Sequence, residues 1–177
     1  MIRDFSVKLK PSNGYARIAF VVSMSCSFAL VLLSGIVPLY RGLVSLAGTV
    51  LLVTALALYS KYMLPTYYYD IMVDSDGLPL FVVRQQIKRK SSTLCRISLA
   101  EVVEIEREEK SDRRLHKTPK GFVKYSYLPT LMPNVTHRIT VVNDYESAEI
   151  RIEASDEFAA FLKRCCEEAK MMNGKYE

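Results

Sequence analysis

The side chains that most often perform catalysis or bind metals are scarce in this sequence. It has two histidines: His116 lies in a basic segment, and His137 begins a segment in which apolar and polar residues alternate. We interpret both as solvated residues rather than as ligands or bases. No Walker-type loop, G-x-G-x-x-G or G-x-S-x-G sequence occurs. We therefore predict that the protein is not an enzyme and has no catalytic residue, no metal site and no cofactor.

The four cysteines form no C-x-x-C pair, the spacing typical of zinc sites and thioredoxin-like redox sites. Cys26 lies in an apolar run, Cys95 in a predicted strand and Cys165 on the apolar side of a predicted helix. We expect these three to be buried as small apolar residues. Cys166, next to Cys165, is the candidate for an exposed thiol.

Acidic residues are concentrated in residues 101–109, where most of them alternate with apolar residues. Alternation with a period of two is typical of a strand with one face in solvent. A charged outer face therefore explains these acids better than an acid–base pair does. They are Glu101, Glu104, Glu106, Glu108 and Glu109.

A strongly basic segment follows, with six basic residues and one acidic residue in positions 110–124. Its Pro119 and Gly121 predict a long loop between strands. One interpretation is a solvated insertion that balances the acidic strand before it. The other is a contact with anionic lipid or with an acidic partner, whereas nucleic acid is not expected because few aromatic residues are interspersed. The candidate contact residues are Lys110, Arg113, Arg114, Lys117, Lys120 and Lys124.

Two long uncharged runs precede this part of the chain. Ile18–Tyr40 contains 23 residues without a charge and Gly42–Ser60 contains 19. Because a helix rises about 1.5 Å per residue, about 20 apolar residues cross the hydrocarbon core of a bilayer. We predict two transmembrane helices, since a cleaved signal peptide would have a shorter apolar run and a small-residue cleavage site.

Basic residues predict the orientation of this hairpin. Four Lys/Arg precede the first helix and Lys61 follows the second, while the connector carries Arg41 alone. The positive-inside rule then locates both termini in the cytoplasm. The runs contain no carboxylate, histidine, lysine or arginine that would form an ion pathway, which argues against a stand-alone transporter.

After Pro65 the apolar pattern changes to alternation and then to a helical period. Asp76-Gly77 is a typical hairpin turn, and Ser155 is a typical N-cap for a final amphipathic helix. The apolar stripe of this helix comprises Phe158, Phe161, Leu162, Cys165 and Ala169. The predicted strands are Tyr67–Val73, Leu80–Ile87, Thr93–Ser98, Glu101–Glu108, Phe122–Leu128, His137–Asn143 and Ser147–Ala154.

Three segments resemble bacterial PH-domain membrane proteins, in which transmembrane helices precede a pleckstrin-homology-like (PH-like) domain. They are YYYDIMVDSDG with LPLFVV, then ISLAEVVEIE, and finally ITVVNDYESAEIRIEASDEFAAFLKRC. The resemblance implies about seven antiparallel strands capped by a C-terminal helix, and a binding or assembly role without catalysis. The first turn, DSDG, lacks the Lys/Arg with which PH domains bind phosphoinositide head groups. Head-group recognition of that kind is therefore not expected.

Together these observations predict a membrane α-helical hairpin followed by an all-β or α+β PH-like domain. The predicted parts are a basic cytoplasmic segment (residues 1–17), a two-helix transmembrane hairpin (18–64) and a cytoplasmic domain (65–177). The predicted function is a membrane-anchored binding or scaffolding module at the cytoplasmic face of the cell membrane. The alternative is an accessory subunit of a larger transporter or envelope-maintenance assembly, with the hairpin contacting the main subunit. The predicted partners are the membrane, with anionic lipid or a protein as a second partner, and oligomerisation through the helices remains open.

Overall fold

The computed structural model describes residues 5–9, 14–36, 40–75, 77–109, 117–133, 135–143 and 146–173. The chain divides into two compact units. One unit comprises Pro11–Pro65, and the other comprises Met1–Lys10 together with Thr66–Glu177.

The first unit is a pair of helices. α1 spans Gly14–Ile36 and α2 spans Arg41–Leu58, and a π-helical turn, Tyr59–Met63, follows α2 directly. The structure therefore contains two helices that are long and apolar enough to cross a membrane. Each spans 23 residues when the π-helical turn is included, which corresponds to roughly 34 Å.

α1 and α2 contact each other through small residues. The Ser27 hydroxyl donates a hydrogen bond to the Gly48 carbonyl at 2.7 Å, and Ser27 and Gly48 are both buried. A Cβ on Gly48 would lie 3.3 Å from Cγ2 of Val31 and 3.4 Å from the Ser27 carbonyl oxygen. Glycine at position 48 therefore permits the close approach of the two backbones.

The second unit contains two four-stranded sheets. The first sheet has the order β1-β2-β3-β4, with β1 at Phe5–Leu9, β2 at Pro65–Val73, β3 at Pro79–Ile87 and β4 at Lys90–Ser98. The β1–β2 and β3–β4 pairs are antiparallel.

β1 is a strand that is not predicted from the sequence. It lies within the range predicted as a basic N-terminal segment, and in the structure it pairs with β2 from Phe5↔Ile71 to Leu9↔Tyr67. The sequence signal is short, since β1 has 5 residues, and its partner follows only after the whole hairpin. A local reading of the pattern cannot detect such a pairing.

The second sheet has the order β5-β7-β8-β6. β5 spans Val102–Glu109, β6 Phe122–Tyr127, β7 Val135–Val142 and β8 Ser147–Ile152. β7 is antiparallel to β5 and to β8, whereas β6 and β8 are parallel. The predicted number of about seven strands after the hairpin is confirmed, because β2 to β8 follow α2 in the described residues, and β1 is an additional strand. The prediction that all of them are antiparallel is wrong, because the chain leads β6 to the far end of the sheet, where it runs parallel to β8.

α3, at Asp156–Asn173, covers the core shared by the two sheets. The predicted N-cap is confirmed, because the Ser155 hydroxyl accepts a hydrogen bond from the Phe158 amide at 3.2 Å. The predicted stripe is buried except at Phe161, which is half-buried. Tyr69, Phe81, Ile139, Ile150 and Leu162 are fully buried core residues.

Candidate functional site

The predicted basic site is described in part. Lys117 and Lys120 lie in the connection that precedes β6, Lys124 lies in β6, and all three are exposed. Among the described residues, none of these lysines forms an ion pair. Lys110, Arg113 and Arg114 lie outside the described residues.

Two contacts order the described end of the basic segment. The Thr118 hydroxyl donates a hydrogen bond to the Glu149 carboxylate at 2.9 Å, and the Phe122 amide donates one to the Pro119 carbonyl at 3.2 Å. Gly121 has a φ of +90°, a conformation that disfavours a residue with a side chain. Lys117 and Lys120 thus lie in a hydrogen-bonded turn attached to the edge of the second sheet, and Lys124 lies in the edge strand itself.

The acidic strand, β5, lies at the opposite end of the sheet from β6. Three interstrand spacings separate the two strands, which corresponds to roughly 14 Å. Lys124 is paired in register with Glu149 of β8 and has no neighbour on β5. The described lysines therefore do not balance the acidic strand by direct contact.

Arginines of β7 and β8 instead pair with two acids of this strand. Arg138 forms an ion pair with Glu106, and its Nη1 lies 3.9 Å from Oε1 of Glu108. Nη2 of Arg151 donates a hydrogen bond to the same oxygen at 2.7 Å. Glu108 is only 4% exposed and Arg151 only 8%, so the interpretation of Glu108 as a solvated acid is wrong.

This charge network has no catalytic geometry. It joins carboxylates to arginines, which stay protonated in proteins, and it contains no nucleophile or histidine. Removing one partner of a buried ion pair leaves an uncompensated charge at a cost of about 3–5 kcal/mol. The network therefore stabilises the alignment of β5, β7 and β8 with one another.

His137 is buried at 3% exposure, so the prediction that it is solvated is wrong. Its Nε2 lies 3.2 Å from a carboxylate oxygen of Asp156, and its Nδ1 has no hydrogen-bond partner in the described part of the chain. Burial lowers the pKa of His137 and outweighs the opposing effect of Asp156. A neutral ring protonated at Nε2 fits both observations, because protonation at Nδ1 would bury an unpaired N–H. His116 lies outside the described residues.

The cysteines show no sign of a reactive thiol outside the helical hairpin. Cys165 is buried as expected, whereas Cys95 is only partly buried and Cys26 is exposed on α1, so the expectation of burial is wrong for Cys26. Cys166 is buried, so the expectation that it is exposed is also wrong. Burial raises the pKa of the Cys166 thiol to about 12 and also raises the pKa values of Cys95 and Cys165. The apolar side of α3 is wide enough to bury two consecutive residues.

Comparisons with known proteins identify no relative of this chain. No family model, no curated protein and no solved structure matches this chain. Within the described ranges, no three His, Cys, Asp or Glu side chains are grouped so that they could hold a metal ion. The chain combines a helical hairpin with a two-sheet β domain and a C-terminal helix.

Proposed function

We propose that this protein is a non-catalytic binding module of PH-like architecture, anchored at the cytoplasmic face of the cell membrane by its helical hairpin. The observation that carries this proposal is the pairing of β1, which precedes the hairpin, with β2, which follows it. Leu9 and Tyr67 are register partners, so the chain leaves the β domain and returns to it at neighbouring positions. A hairpin inserted between paired strands has both ends on one side of a bilayer.

The surface of the hairpin supports membrane insertion. Large apolar side chains are exposed on both helices, for example Phe28 at 67% and Leu43 at 68%. In the most apolar stretch of 18 residues, only 6% of the residues of α1 are buried within the structure. The corresponding share for Arg41–Met63 is 11%. Contiguous apolar patches of this kind are rare on soluble monomers, and a lipid environment would cover them.

The cytoplasmic orientation rests on charge. Lys8 in β1 and Lys61 in the π-helical turn flank the hairpin, whereas Arg41 is the basic residue at the connector. Basic residues are enriched in short cytoplasmic loops. The β domain follows α2 directly and is thus expected on the same, cytoplasmic side.

The proposed ligand is the anionic surface of the inner leaflet, contacted by the basic segment. Lys117, Lys120 and Lys124 are exposed and form no ion pair with the described residues. Each Lys or Arg near an anionic surface contributes about 1 kcal/mol, and the attraction decays over a Debye length of about 8 Å at physiological salt. Tethering by the hairpin removes most of the entropic cost of association, so a few lysines suffice.

The test uses the full chain in nanodiscs, with Cys26→Ser and a fluorophore on Lys120→Cys. A lipid that carries a quencher on its head group reports whether position 120 contacts the membrane surface. We expect strong quenching in discs with anionic lipid and weaker quenching in zwitterionic discs. Added salt and the double change Lys117→Glu, Lys124→Glu should both reduce the quenching in anionic discs.

A fluorophore on Ser92→Cys, an exposed position in β4, is the matched control for this experiment. Equal quenching at position 120 in anionic and zwitterionic discs would contradict the lipid contact. A second membrane protein that co-purifies with the chain at a fixed ratio would instead favour the accessory-subunit function.

A further inference from the structure

A groove of about 650 Å³ runs between the end strand β5 and the helix α3. Val103, Glu104 and Glu106 line it from the strand, and Lys163, Glu167 and Lys170 line it from the helix. In the part of the chain that the structure describes, β5 has β7 on one side and no strand on the other. Alternate backbone N–H and C=O groups of an end strand point away from its sheet and can pair with an added strand.

β5 is long enough to pair with an extended segment of chain. β5 has 8 residues, and an added strand would lie about 4.8 Å from it, between β5 and α3. Val103, at an irregularity of the β5–β7 register, is 60% exposed and offers an apolar contact beside the free edge. In this mode of recognition the main chain supplies affinity and alternate side chains supply specificity.

The acidic side chains of β5 favour a basic segment as the added strand. Glu104 and Glu106 lie on the face of β5 opposite the buried Ile105. Glu104 is exposed and without an ion pair among the described residues, whereas Glu106 already pairs with Arg138 of β7. A second copy of β5 would set carboxylates beside carboxylates, and like charges on adjacent strands destabilise the pair. Basic residues at alternate positions of an added strand would instead face these acids.

We propose that the β5 edge binds an extended segment of another protein that carries Lys or Arg at every second position. The segment adds to the second sheet as a fifth strand, its basic side chains lying beside Glu104 and Glu106. Its intervening side chains lie toward α3. The described lysines of the proposed lipid contact lie at or beside β6, at the opposite end of the sheet from this site.

The test uses the full chain in a non-ionic detergent without anionic lipid, so its outcome does not depend on the lipid contact. The probe is a labelled peptide of alternating Lys and Thr, as long as β5, and binding is measured by fluorescence anisotropy. We expect saturable binding that weakens with salt, and no binding of the matched Glu–Thr peptide. Glu104→Lys should weaken binding roughly tenfold, whereas Glu146→Lys, an equal charge change outside β5 and α3, should leave it unchanged.

Backbone methylation separates strand addition from mere charge attraction. Two versions of the peptide carry N-methyl groups at the odd or the even positions, so that one version loses the N–H groups that face β5. We expect one version to lose binding and the other to retain it. Equal binding of both versions, or no binding of the unmodified peptide at low salt, would overturn the proposal. Efficient cross-linking of Val103→Cys to itself between two chains would overturn it in favour of a dimer.

Discussion

His137 and the Glu108–Arg151 pair show how the β domain uses buried polar residues. Both lie in the second sheet, and both are held by groups from other elements: His137 by Asp156 of α3, and Glu108 by Arg151 of β8. Burial lowers the pKa of His137, so its imidazole is neutral at neutral pH. Acid therefore acts on the site of His137 by protonating its buried ring.

At the residue scale, we predict that acid destabilises the domain through His137. Burial lowers its pKa in the folded state, so the unfolded chain binds the proton more readily than the folded chain does. Stability is then complete above the ordinary histidine pKa of about 6.5 and is lost as the pH falls below it. Urea titrations of the full chain in detergent, followed by near-ultraviolet tyrosine circular dichroism, should show a midpoint that falls between about pH 7.5 and pH 5.5.

His137→Gln should remove most of this pH dependence, because a glutamine amide still donates to Asp156 and does not titrate. The matched control is His116→Gln, which removes the other histidine and should retain the dependence. If His137→Gln loses stability with falling pH as steeply as wild type, another group is responsible.

At the scale of the elements, the hairpin depends on one close approach. Ser27 and Ser45 belong to small-residue pairs, Ser23/Ser27 and Ser45/Thr49, spaced by one helical turn, a pattern common in membrane helices. The structure adds Gly48, whose carbonyl accepts the Ser27 hydrogen bond. Because Gly48 has no Cβ, the backbones of α1 and α2 can approach closely. The requirement for glycine at this position comes from the contact with α1 and not from α2 itself.

We predict that Gly48→Val separates the two helices. Its Cβ would already lie 3.3 Å from Cγ2 of Val31, and overpacking of this kind costs about 1–3 kcal/mol. Thermal unfolding in detergent, followed by the helical circular dichroism signal, should show a lower midpoint. Gly42→Val is the matched control, since no atom lies within 4 Å of a Cβ at that position. Equal midpoints for the two variants would contradict a tight contact at Gly48.

At the scale of the whole molecule, the β1–β2 pair joins the segments before and after the hairpin. We predict that both segments lie in the cytoplasm and that the α1–α2 connector lies outside. In a Cys26→Ser background, cysteines at Ser6 in β1 and Ser92 in β4, both exposed, should resist an impermeant thiol reagent in intact cells. A cysteine at Gly42 should react.

The strand pairing constrains this experiment further. Positions 6 and 92 belong to one sheet, so they should be protected or labelled together, whichever way the hairpin is inserted. Labelling of one and protection of the other would show that β1 does not pair with β2 in the cell. Labelling of both, with protection at Gly42, would reverse the orientation.

Much of the local structure follows from the sequence. Long uncharged runs predict α1 and α2. A helix that is apolar on every face has no side suited to solvent, so it is either buried or in a membrane. Alternation predicts β8, and the Ser155 cap with its apolar stripe predicts α3. These features depend on neighbours within a few residues, and such neighbours are visible in a linear sequence.

The tertiary structure alone decides which distant segments meet. It pairs β1 with β2 across the hairpin, puts β5 and β6 at opposite ends of one sheet, and aligns Arg138 and Arg151 with the acids of β5. It also buries His137 and Cys166, and it leaves a groove beside β5. A strand's alternating pattern states only which side chains share a face. The packing of the whole core decides which strand lies next to it. That packing therefore also decides which residue pairs with each charge on that face.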